Sequence, residues 1–89
     1  MYGCILKAKN NIPLYYCYEI IYDNPKLAKS DIKKYYYQSS TFNFENCETL
    51  ESLYELLANN HIVRIGDIIT LNDDDDNYYF FAPKFIKIM

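Results

Sequence analysis

Residues 46–82 read NCETLESLYELLANNHIVRIGDIITLNDDDDNYYFFA, and their periodicity decides the fold. Leu50, Leu53, Tyr54 and Leu57 recur at helical spacing and predict one apolar stripe. Asn46 is a capping residue type, so a helix is expected over 47–58, with Asn59-Asn60 ending it in a left-handed turn. The period then changes. Ile62 to Leu71 is apolar and β-branched, with Gly66-Asp67 marking a bulge or tight turn. Residues 72–77 connect it to a returning strand, Tyr78 to Ala82, which Pro83 interrupts before a last segment from Lys84 to Met89. A helix followed by an antiparallel hairpin, without βαβ repetition, predicts an α+β fold.

Working outward, Tyr2 to Lys9 reads as a strand. Asn10-Asn11 suits a two-residue hairpin turn, and Ile12 to Tyr22 then predicts a partner strand. That register places Cys4 opposite Cys17 and allows a cross-strand disulfide if the thiols are oxidised. It puts Cys4, Leu6 and Ala8 on a core face with Tyr15, Cys17 and Ile21. Asp23-Asn24-Pro25 is a helix start, and the segment to about Gln38 carries Ala28, Ile32, Tyr35 and Tyr36 as its buried stripe. Ser39 to Phe44 reads as a short strand or an extended connection. The expectation is one domain over 1–89, ordered ββ-α-(β)-α-ββ. It is α+β, with a mostly antiparallel sheet of four to five strands and two helices.

The chain has 89 residues, 11 of them Tyr, with no Trp and two Gly. Together with abundant Asn and Ile, this is the bias expected of an AT-rich genome, so the tyrosines need no collective functional explanation. The formal charge is −3, unevenly distributed. Residues 1–44 carry six Lys against Glu19, Asp23 and Asp31, whereas residues 45–89 carry nine acids against Arg64, Lys84 and Lys87. Two electrostatically distinct faces follow. The acidic balance argues against general nucleic-acid binding. No signal-peptide pattern is present at the N-terminus, and no apolar run approaches the roughly 18 residues of a spanning helix. A cytoplasmic location in a host cell is expected. Three cysteines without Cys-x-x-Cys spacing indicate reduced thiols in place of a zinc site or disulfide framework.

Few groups offer chemistry. Asp73, Asp74, Asp75 and Asp76 could collect a divalent cation. An EF-hand, however, needs alternating ligands, a central Gly and a distant Glu, and a solvated hairpin loop is the plainer reading. His61 stands alone at a helix-to-strand junction, and no catalytic motif surrounds any Cys. There is no Gly-rich phosphate loop and no nucleophile elbow. No catalytic residue, metal site or cofactor is expected. Glu48, Glu51 and Glu55 line the helix side opposite its apolar stripe. With Asp73 to Asp76 and Tyr78 they form the candidate partner-binding surface. Lys26, Lys29, Lys33 and Lys34, near Tyr35 to Tyr37, form the alternative, a phosphate-contacting face.

The stretch Leu50-Glu51-Ser52-Leu53-Tyr54-Glu55, then Ile65-Gly66-Asp67-Ile68-Ile69-Thr70-Leu71, then Tyr78-Tyr79 and Phe85 resembles the YodL-like domain over residues 47–88. That family pattern is a short helix Leu-x-x-Ile-Tyr, then Ser-x-Ser-x-Gly-Asp-Val-Val-x-Leu, then an aromatic returning strand. The family's two serines are missing from 62–64. The resemblance implies a protein of a phage or conjugative element, some of which sit beside antirestriction functions, and it carries over no catalytic residue. The functional expectation is a small non-enzymatic protein that binds and blocks or modulates a host protein. An anti-defence inhibitor of the anti-CRISPR or antirestriction type, acting on a nucleic-acid-processing complex, would fit. The runner-up is a nucleic-acid-binding module using the lysine helix.

Overall fold

The computed structural model describes residues 1–22, 29–72 and 77–88, with the backbone alone for 20–22 and 29–31. The order is β1 (Tyr2–Ala8), α1 (Leu14–Tyr22), α2 (Lys29–Tyr35), β2 (Tyr36–Asn43), α3 (Leu50–Asn59), β3 (Ile68–Leu71), β4 (Tyr78–Phe81) and β5 (Phe85–Lys87). Every pairing is antiparallel, and the strands lie in the order β2-β1-β3-β4-β5. The α+β class and the antiparallel sheet are as expected; the described residues form three helices where two were expected.

The sheet is covered on both faces. Ile68, Phe80 and Tyr36 join Cys17 of α1 and Ile32 of α2 in one buried cluster, with Leu6 and Ala8 packed against it. Ile69, Leu71, Phe81, Ile5 and Phe42 join Leu53 and Leu57 of α3 in another. Adjacent strand residues point to opposite faces, so α1 and α2 lie on one side and α3 on the other. This accounts for the largely apolar composition of β3, all four of whose residues, Thr70 included, are buried.

The expected first hairpin does not form. Lys9 and Ile12 do close a turn, with Ile12 N–H donating to the Lys9 carbonyl at 3.0 Å. Neither Asn10 nor Asn11 takes a positive φ, however, so the turn that would fold the chain straight back is absent. Pro13 instead opens a helix, its carbonyl accepting from Tyr16 N–H at 3.0 Å and Cys17 N–H at 3.2 Å. Proline suits a first helical turn because its missing N–H has no partner to lose there. Cys17 is therefore on α1, away from Cys4 of β1, and all three thiols are free.

The partner of β1 is β2, which starts at Tyr36 and takes in residues expected in a helix. Its register slips once, since Ile5 faces Ser40 and Leu6 faces Gln38, leaving Ser39 as an extra residue. This bulge has a visible effect. Tyr36 and Phe42 are both even-numbered and would share a face in a regular strand. With the bulge, Tyr36 packs under α1 and α2 and Phe42 under α3. The Asp23-Asn24-Pro25 helix start and Ala28 lie outside the described residues.

The third helix starts three residues later than its sequence suggests. Thr49, not Asn46, caps it: the Thr49 hydroxyl accepts from Ser52 N–H at 3.1 Å. At the other end Ile62 N–H donates to the Leu57 carbonyl at 3.3 Å and His61 N–H to Ala58 at 3.1 Å, a Schellman closure. His61, at φ 54°, occupies the left-handed position expected of the asparagines.

Candidate functional site

A partly buried polar knot joins the N-terminal strand to the turn before β3. The Lys7 ammonium lies 2.7 Å from Asp67 Oδ2, with Lys7 side-chain exposure of 29% and Asp67 of 11%. The same oxygen accepts from Arg64 N–H at 2.9 Å. Gly66 takes a positive φ of 103°, and its carbonyl accepts from the Tyr36 hydroxyl at 2.6 Å. Gly66 N–H and the Asp67 carbonyl both bond to the backbone of Phe81, at 2.8 Å each. All these polar groups are satisfied within the protein, which makes the knot a structural device that fixes the 62–67 turn.

Burial, followed by the Cys17 thiol and the Asp67 carboxylate, pushes the Tyr36 phenol far above its ordinary value. The raised folded value means that the unfolded chain loses the proton first, near pH 10. The stability is complete below that pH and lost as pH rises above it. Tyr36→Phe is expected to make alkaline unfolding less steep in pH, at a cost of about 1 kcal/mol at neutral pH for the hydroxyl bond. Urea melts at several alkaline pH values read this out; identical slopes for both proteins would contradict it.

The acidic residues have a different setting. Glu51 and Glu55 are exposed, one turn apart on α3. Glu48 is exposed as well, but it precedes the Thr49 cap and is not on the helix. Beside Glu51 and Glu55 lies a groove of about 420 Å³, lined by Leu50, Tyr54, Pro83, Lys84 and Phe85 with the two glutamates. Aromatic packing builds its wall. Tyr54 stacks on Phe81 at 4.5 Å and 12° between planes, and Phe85 meets Tyr54 edge-on at 5.2 Å. The Tyr54 hydroxyl donates to the Ala82 carbonyl at 2.7 Å, tying α3 to the β4–β5 connection.

No ion pair among the described residues engages Glu51, Glu55 or Lys84. Two like charges one turn apart oppose helix formation by about 0.3 kcal/mol. A second groove, near Phe44, Cys47 and Leu56, has one lining carboxylate among the described residues, Glu45, and one lining ring, Phe44.

Other expected site residues fall elsewhere. Tyr78 is 9% exposed and packs in the α1–α2 core, so it cannot join a partner surface. Both faces of its strand are covered, and its ring lies on the side of α1 and α2. Asp73 to Asp76 and Lys26 lie outside the described residues, as does the side chain of Lys29. Lys33 and Lys34 are exposed in the last turn of α2. His61 is exposed at the end of α3, where its backbone conformation closes the helix. Among the described residues no group of three His, Cys, Asp or Glu side chains could hold a metal ion, and no helix is long and apolar enough to cross a membrane.

The groove's wall was not readable in sequence: Pro83 and Phe85 reach Tyr54 only through the β4–β5 turn. The aromatic spacing Tyr79, Phe81, Phe85 was its one local trace. We found no match to the chain among protein-family models, curated proteins or solved structures.

Proposed function

We propose that this chain is a non-enzymatic binding protein that engages a basic region of a host protein through the acidic side of α3, blocking or modulating it. The groove carries this reading: two carboxylates that form no ion pair among the described residues line it beside an aromatic wall, and such a surface complements positive charge with apolar stems. The resemblance of residues 47–88 to the YodL-like domain supports a phage or mobile-element origin, and with it an anti-defence role of the antirestriction or anti-CRISPR type.

Combined reversal, Glu48→Lys with Glu51→Lys and Glu55→Lys, is expected to weaken capture of the host partner about tenfold or more. All three sites are exposed, so the fold should be retained, and circular dichroism would verify that. Capture at wild-type strength by a folded triple variant would sink the proposal. Salt-sensitive binding to DNA or RNA, lost on changing Lys33 and Lys34, would favour the nucleic-acid reading instead.

A further inference from the structure

We propose that the α3 groove is a receptacle for a single arginine side chain of the partner. This rests on the binding role just argued and names the chemical group that fills the site. Three observations converge on a guanidinium. First, Glu51 and Glu55 sit four residues apart on an exposed helix face, a spacing of about 5–6 Å between Cβ atoms. The N–H groups of one planar guanidinium fan out along its edges and can reach both carboxylates at once. A lysine ammonium is a compact point charge and favours one of them.

Second, the groove has aromatic lining beside those carboxylates. Tyr54 and Phe85 both line it, and Tyr54 is held at its hydroxyl by Ala82 and on one face by Phe81. Guanidinium groups stack on such rings and are more weakly hydrated than ammonium groups. A wall already fixed by Phe81 and Ala82 loses little freedom on binding. Third, Leu50 and Pro83 supply apolar lining, suited to the methylene stem that precedes the charged head.

Among the described residues, Lys84 is the one cation that lines this groove. It makes no ion pair there among the described residues, so its charge opposes an incoming arginine. Removing it therefore strengthens binding, an outcome that a merely structural groove would not give.

The probe is the peptide acetyl-Gly-Gly-Arg-Gly-Gly-amide, titrated into isotope-labelled protein and followed by amide chemical shifts. Lysine and citrulline versions serve as comparisons. The expected result is saturable shifts at Glu51, Tyr54, Glu55 and Phe85. The lysine peptide should bind several-fold more weakly and the neutral citrulline peptide should give no saturation. Glu51→Gln or Glu55→Gln should each weaken the arginine peptide about fivefold, and Lys84→Ala should tighten it by about twofold. Equal binding of the lysine peptide, shifts confined to another surface, or no saturation with any peptide would each overturn the inference. The binding role has its own readout. If the triple charge reversal abolishes partner capture while the arginine peptide leaves the groove unshifted, that role stands and the arginine receptacle falls. If the peptide binds the groove and the reversal spares capture, the groove does take arginine and the host-binding role of α3 falls.

Discussion

Replacing Gly3 with alanine is expected to cost about 3 kcal/mol of stability, near the upper end for adding a single methyl group to a packed core. Gly3 lies in β1 opposite Leu71 of β3 on one side and Phe42 of β2 on the other. A Cβ at this position would stand 1.7 Å from the Thr70 carbonyl oxygen and 3.0 Å from the Phe42 ring. The first of these neighbours is backbone in the central strand, buried on both faces, and it cannot move aside without breaking the β1–β3 ladder. The glycine is thus required by close approach of two strands, since its φ is not in the left-handed region. Denaturant unfolding with an unchanged m-value measures the cost. A loss below about 1 kcal/mol would show that the two strands can separate freely, contrary to the packing described.

Asp67→Ala should be nearly as damaging, at about 2 kcal/mol. The substitution strips the Lys7 ammonium of its partner at 2.7 Å and leaves Arg64 N–H without its acceptor at 2.9 Å. A fully buried pair broken this way would cost about 3–5 kcal/mol, but Lys7 retains access to solvent and can rehydrate, which lowers the figure. Asp67→Asn separates the two contributions. An amide oxygen still accepts from Arg64 and gives up only the charge, so its cost should be about 1 kcal/mol. If Asn proves as harmful as Ala, the charge carries the effect; if both are neutral, the knot does not hold the turn. Asp67 lies on the turn leading into β3 and bonds to β4 through its own carbonyl. Proteolysis near residues 62–67 should therefore accelerate in the alanine variant before global unfolding does.

Sequence reasoning succeeded where one periodicity held without competition. Helix α3 has apolar residues at 50, 53, 54 and 57 and little else that is apolar on its outer side. The β3–β4 hairpin was legible because β-branched and aromatic runs flank a polar connection. The segment Leu14–Tyr22 carried no such unambiguous signal. Its leucine, tyrosines and isoleucines satisfy both the two-residue and the helical period, and tyrosine and isoleucine favour strands locally. Packing of Cys17 and Tyr18 against the sheet decided for the helix. Likewise, the three tyrosines at 35–37 straddle a helix end and a strand start, a boundary set by the pairing of Tyr36 with Ala8.

The candidate site was half visible. Glu51 and Glu55 could be placed on one exposed side of a helix from spacing alone. The opposing wall at Pro83–Phe85, the loss of Tyr78 to the core and the Lys7–Asp67 pair all depend on contacts between residues remote in sequence. Lys7 and Asp67 are sixty positions apart, and no local pattern joins them.

The placement of β1 has a kinetic consequence. Residues 3–6 pair with 68–71, so the strand made earliest sits beside the central strand and waits for one made much later. Closing that long loop carries an entropic cost which no local contact offsets. The stretch from β1 through α3 contains helices and one strand pair but lacks the strand against which both core clusters are built. Folding should accordingly be slow for a chain of this size and should commit only when β3 docks, leaving a nascent chain halted before residue 68 without a stable core.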